Sequence, residues 1–97
     1  MVIWTQLAKA DLRNIHDFIA RDSKFYAKKT TQDIVEKTDM LAAHPFIGRA
    51  IPELNDKAIR EIAHLSYRII YQRMDEQITI LAIAHKRQNL KTISTLA

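Results

Sequence analysis

Residues 67–90, YRIIYQRMDEQITILAIAHKRQNL, decide the fold. Two runs rich in β-branched and aromatic residues, Tyr67–Met74 and Gln77–His85, are separated by Asp75-Glu76 alone, the spacing of a two-residue hairpin. That turn pairs Met74 with Gln77, Gln72 with Thr79, Ile70 with Leu81, Arg68 with Ile83 and Ser66 with His85. Strict alternation then puts Tyr67, Ile69, Tyr71, Ile80, Ala82 and Ala84 on one face. The other face receives Arg68, Ile70, Gln72, Leu81, Ile83 and His85. The two alanines suit the first face to close packing under helices. The second reads as an apolar floor of Ile70, Leu81 and Ile83, with Arg68 and His85 as diagonal neighbours and Lys86 and Arg87 just beyond the strand. Left uncovered, such a floor is a surface for a protein partner.

The remaining periods build outward from this hairpin. Ile59–Leu65 forms a third strand with period two, after a break at Asn55-Asp56. Upstream, residues 45–52 (PFIGRAIP) hold the only glycine and both prolines and read as a turn-rich connector. Ala8, Leu12, Ile15 and Ile19, with Phe18 beside them, mark one face of a helix over about residues 5–21, capped by Thr5. Ser23 caps a second helix whose inner side is Tyr26, Thr30, Ile34, Met40 and Leu41; it ends before His44-Pro45. Val2-Ile3-Trp4 is a short strand. The class is α+β, in the order β-α-α-β-β-β: a helical hairpin packed on a small, twisted, mostly antiparallel sheet.

Ninety-seven residues suit a single domain spanning 1–97, and 47% apolar with 27% charged residues argues against disorder. No cysteine is present, so disulfide, thiolate and cysteine-zinc chemistry are excluded. No apolar run is long enough to cross a membrane, and the opening MVIWTQLAKADL lacks the pattern of a signal peptide. His16, His44, His64 and His85 are widely spaced and have no acidic ligand nearby in the sequence, so no metal site is expected. No glycine-rich phosphate loop exists, which excludes nucleotide-cofactor chemistry, and no cofactor is expected. The formal net charge is +4, and it is uneven: residues 77–97 carry three basic residues and no acidic one. That end fits an anionic partner, nucleic acid or an acidic protein segment. Trp4 and Phe18 read as core residues, Tyr67 and Tyr71 as packing beneath the helices, and Glu61 as an ion partner for Arg60 or Arg68.

Several stretches together resemble the ParE/RelE superfamily of type II toxin–antitoxin toxins. The first helix, ADLRNI followed by FIARDS, is similar to theirs. His44-Pro45, Gly48-Arg49 and Pro52-Glu53 resemble the family's "HP…GR…PE" connector. Ile59-Arg60-Glu61 and residues 66–71 (SYRIIY) resemble its "REL…YRIIY" strands. Residues 80–90 (ILAIAHKRQNL) resemble its closing strand and "H-x-R-x-D-L" signature, with Asn89 where Asp is usual. The likeness spans roughly residues 4–92 and is closer to the ParE-like branch.

The resemblance implies a small cytoplasmic toxin of bacteria, of the plasmid-stabilisation type. A cognate antitoxin would neutralise it in a hetero-oligomeric complex and would be its only route to operator DNA. The ParE-like branch poisons DNA gyrase without catalytic residues, and there the residues implicated in toxicity and target binding are Arg49, Arg68, His85, Lys86, Arg87, Asn89 and Leu90. The antitoxin would cover Ile70, Leu81 and Ile83. The RelE-like branch cleaves mRNA on the ribosome, and Arg68, His85 and Arg87 would then serve catalysis. Its second-strand lysines fall here at Ile59 and Glu61, however, and no tyrosine follows Arg87. A third reading is a regulatory adaptor that works only with its partner on operator DNA.

Overall fold

A computed structural model describes residues 1–88 of the chain. Strand β1 (Val2–Trp4) leads into helix α1 (Gln6–Ala20) and helix α2 (Lys24–Met40). Four strands follow: β2 (Arg49–Ala50), β3 (Ile59–His64), β4 (Tyr67–Met74) and β5 (Gln77–His85). They form one five-stranded sheet in the order β1-β5-β4-β3-β2, antiparallel except for the parallel β1–β5 pair. The α+β class and the helical hairpin on the sheet agree with the sequence reading; β2, only two residues long, lies within the connector and carried no period.

The helix starts follow from their caps. Thr5 Oγ1 accepts from the Ala8 N–H at 3.0 Å, and Ser23 Oγ from the Tyr26 N–H at 3.1 Å. The inner positions of α2 are Ala27, Thr30, Ile34 and Thr38, with Leu41 at its C-cap. Tyr26 and Met40, read as inner residues, are exposed instead, as is Phe18 on α1. Each stands next to a true inner position, so the apolar stripe is narrower than the run of apolar residues implied.

The β4–β5 register begins as the hairpin predicts, with Met74 opposite Gln77 and Gln72 opposite Thr79. Asp75 turns the chain at φ +55°, in the left-handed region that aspartate tolerates. The register then slips: Tyr71 faces Ile80, but Ile70 faces Ala82, leaving Leu81 as the extra residue of a bulge. Past Leu81 every side chain of β5 lies on the face opposite to the one strict alternation assigns. Ile83 joins Ile69, Tyr71, Ile78 and Ile80 beneath the helices, while Ala82 and Ala84 join Ile70 on the outer face.

Helix α1 supplies the backbone bonds that this irregularity would leave open. Thr5 Oγ1 donates to the Leu81 carbonyl at 2.9 Å, and Asp11 Oδ2 accepts the Ile83 N–H at 2.9 Å. β1 stops at the Trp4–Ile80 pair, so these two side chains continue the edge where the strand ends.

Candidate functional site

The outer face of the sheet is not an open floor. The connector after α2 folds across it, and Ile51 and Leu54 pack on Ile59, Ile70 and Ala82. Ile70 is fully buried there, Ile83 is buried on the helix side, and Leu81 is half-buried. The expected uncovered patch of Ile70, Leu81 and Ile83 is therefore absent, because the bulge and the connector divide and cover it.

One aromatic residue holds the connector in place. The buried Tyr71 hydroxyl accepts from the Gly48 N–H at 2.9 Å and donates to the Pro45 carbonyl at 3.0 Å. Burial pushes its pKa up, the Gly48 bond opposing. A Cβ on Gly48 would stand 2.4 Å from that hydroxyl and 2.8 Å from the Glu61 carbonyl, so only glycine fits. Arg60 Nη1 donates to the Gly48 carbonyl at 2.9 Å. The exposed ring of Phe46 lies under Arg73 at 4.4 Å and Arg60 at 5.7 Å. The spacing of the connector motif thus encodes an architectural joint.

Next to that joint lies an ion cluster. Glu61, 3% exposed, and Arg68, 8% exposed, are buried on the outer face. Arg68 Nε donates to Glu61 Oε2 at 2.6 Å, and its Nη1 and Nη2 clasp the two oxygens of Glu53 at 2.7 and 3.0 Å. Arg49 Nε donates to the other Glu61 oxygen at 2.9 Å. The bonds to Glu53 keep the Arg68 guanidinium charged, its pKa raised despite burial. Ala84, directly opposite Arg68, is small enough to leave room for this network.

Arg68 also fixes where the chain leaves the sheet. Lys86 N–H bonds the Ser66 carbonyl at 2.8 Å, and Gln88 N–H bonds the His85 carbonyl at 3.0 Å. Arg87 N–H reaches His85 Nδ1 at 3.2 Å, and Arg68 Nη1 donates to the Gln88 carbonyl at 3.2 Å. His85, Lys86 and Arg87 therefore form an exposed turn tied to a buried cation.

Arg87 stays on the exposed turn, while Arg49, Arg68, Lys86 and His85 divide between two clefts. An outer polar cleft of about 430 Å³ gathers Arg49, Arg68 and Lys86 with Glu53 and Glu61. A second cleft, of about 270 Å³ between α1 and the end of β5, holds His85 with Asp11, Phe18 and Tyr67. Arg68 and His85 are not diagonal neighbours: Arg68 faces Ala84, whereas His85 pairs with Tyr67 and meets its ring edge-on at 6.1 Å. Asn89 and Leu90 lie outside the described residues.

Glu53 and Asp11 were missed as site residues. Asp11 had a visible signal, being an acid beside the inner stripe of Ala8, Leu12 and Ile15. Among the described residues no group of three or more His, Cys, Asp or Glu side chains is placed to hold a metal ion, and no helix is long and apolar enough to cross a membrane.

This order of elements, with its connector joint and closing strand, matches a known family. The model of the ParE toxin of the type II toxin–antitoxin system parDE fits residues 2–90. The chain belongs to the ParE toxin family. A chain of the chromosomal ParDE toxin–antitoxin system of P. aeruginosa superposes with a TM-score of 0.71 at 27% identity, covering 87% of this chain and 92% of that one. The RelBE2 toxin–antitoxin complex of Mycobacterium tuberculosis gives a TM-score of 0.62 at 22% identity, over 88% of this chain and 95% of its counterpart. The isolated RelE toxin of E. coli gives 0.59 at 12% identity, over 99% of this chain and 94% of that one. The last two are likenesses of fold alone. No curated protein sequence matches the chain.

Proposed function

We propose that this ParE-family toxin acts by binding DNA gyrase rather than by cutting RNA, and that a cognate antitoxin neutralises it. The observation that carries this reading is the state of Arg68. Cleaving RNA by 2′-OH attack needs cations free to meet the charge that develops on the phosphate. Here the guanidinium is committed to Glu53, Glu61 and the Gln88 carbonyl, and a phosphate entering the outer cleft would meet both carboxylates.

Arg68 and Arg49 then serve to shape the toxin, and the exposed Lys86 and Arg87 make the target contact, continued by Asn89 and Leu90. The antitoxin covers exposed apolar residues of the helical hairpin, Phe18, Phe25 and Tyr26 among them. Of the three residues first assigned to it, only the half-buried Leu81 is accessible without rearrangement.

Gyrase supercoiling with purified toxin tests the reading. Loss of supercoiling is the expected result, reduced by Lys86→Ala with Arg87→Ala. Full supercoiling at stoichiometric excess, with toxicity retained in cells, would overturn it. Codon-positioned cuts in translated mRNA after induction would establish the ribonuclease reading instead.

A further inference from the structure

The α1–β5 cleft combines a carboxylate with two aromatic rings. Among the described residues Asp11 is the only carboxylate that lines it, and no lysine or arginine does, in a chain of net charge +4. Its walls are the apolar Ile15 and Ile83 and the rings of Phe18 and Tyr67. One Asp11 oxygen is committed to the Ile83 N–H. Burial raises the pKa of this carboxyl, so its ionised form is short of solvation where it stands.

A half-buried carboxylate in a cleft that aromatic rings also line suits a cation on an apolar stem. Guanidinium fits better than ammonium, because it is planar, weakly hydrated and stacks on ring faces. The Phe18 ring already takes one: the Arg21 guanidinium carbon lies 6.0 Å from its centroid.

We propose that this cleft anchors an arginine side chain of the antitoxin, which pairs with Asp11 and lies between Phe18 and Tyr67. The proposal rests on the antitoxin reading above and assigns that partner its anchoring chemistry. It also connects partner binding to the toxin's basic end, since Asp11 holds Ile83 and His85 lines the same cleft.

A simpler role for Asp11 is to cap the bulged edge of β5 and nothing more. Asp11→Asn separates the two, because the amide oxygen still accepts the Ile83 N–H while the charge is lost. In the first experiment the full chain is titrated with N-acetylarginine amide and followed by NMR. The Ile83 amide signal should move saturably at millimolar concentration. The neutral isostere N-acetylcitrulline amide should not move it, and Asp11→Asn should abolish the response. An unmoved Ile83 signal, or an equal shift with the citrulline compound, would overturn the proposal.

In the second experiment Asp11→Asn should raise the Kd for the antitoxin about tenfold, the loss of one charge-assisted contact, while urea unfolding shows the variant folded. Unchanged affinity would also overturn the proposal. If the wild-type chain binds no antitoxin at all, the functional reading fails, and the arginine-amide titration still decides what the cleft holds.

Discussion

The two faces of this sheet are both buried, but by opposite means. Under the helices, Ile34, Leu41, Ile69, Ile80 and Ile83 meet side chain to side chain, and the contact is almost wholly apolar. Under the connector a few aliphatic residues share the space with a glutamate, an arginine and a network of charge-assisted hydrogen bonds. The first face tolerates exchange of one apolar shape for another. The second depends on partners being present, because an isolated buried charge is costly. Of the residues that carry the family resemblance, Gly48, Arg49, Glu53, Glu61 and Arg68 belong to the second.

The sharpest test of that difference is Gly48→Ala. The added methyl would meet Tyr71 Oη at 2.4 Å and Cε1 at 2.7 Å, and the Glu61 backbone leaves no direction of retreat. A loss of roughly 3 kcal/mol or more is expected by urea unfolding. A loss below about 1 kcal/mol would show that the connector can lift from the sheet without consequence for the fold.

Next come two substitutions of similar size but different origin. Ile34→Ala empties space under the helices and should cost about 2–5 kcal/mol. Glu61→Ala should cost about 3 kcal/mol, because it strips buried Arg68 of one of its two acidic partners. The signatures differ in a double-mutant cycle. Replacing Arg68 by Met in the Glu61→Ala background should restore part of the loss, with a coupling of about 1–3 kcal/mol. Ile34→Ala combined with Arg68→Met should simply add. Additive behaviour in both cycles would remove the distinction between the faces.

These contrasts also explain what could be read in advance. Both helices, their caps and the long hairpin follow from period and turn chemistry, which are local properties. Face assignment failed beyond Leu81 because neither glycine nor proline marks the bulge; the bonds that fix it come from Thr5 and Asp11, 76 and 72 positions away. The cover over Ile70 was invisible because Ile51 and Leu54 sit in a connector with no repeat. Arg68 was legible as important, but its commitment to Glu53 and Glu61 was only half so. A charge pair separated by 15 positions has no signature until the strands are registered.

Tyr71→Phe tests the joint between the two faces more gently. The ring remains in the helix-side core, while the Gly48 N–H and the Pro45 carbonyl lose their partner. Thermal and urea unfolding should show a loss of about 1–2 kcal/mol, with the connector rather than the helices gaining hydrogen-exchange rate. Equal acceleration across α1 and α2 would mean that the hydroxyl supports the whole molecule and not the connector alone.

The smallest expected effect lies where the helix-covered face reaches its edge, at the half-buried carboxylate of Asp11. Burial raises its pKa in the folded state above the ordinary 3.8, despite the opposing bond from Ile83. The folded chain therefore holds this proton more tightly than the unfolded one. The sign follows: Asp11 favours folding most below its unfolded pKa, and that contribution is lost as pH rises through the folded value. At neutral pH its ionised form weakens the fold, whereas a neutral acceptor for the Ile83 N–H would not. Asp11→Asn should accordingly unfold at a slightly higher temperature than the parent near neutral pH. The gap should close as the pH falls through the folded-state pKa towards 3.8. A gap of opposite sign at neutral pH would mean that the negative charge itself holds the end of β5. The edge of the helix-side face would then depend on charge much as the connector side does.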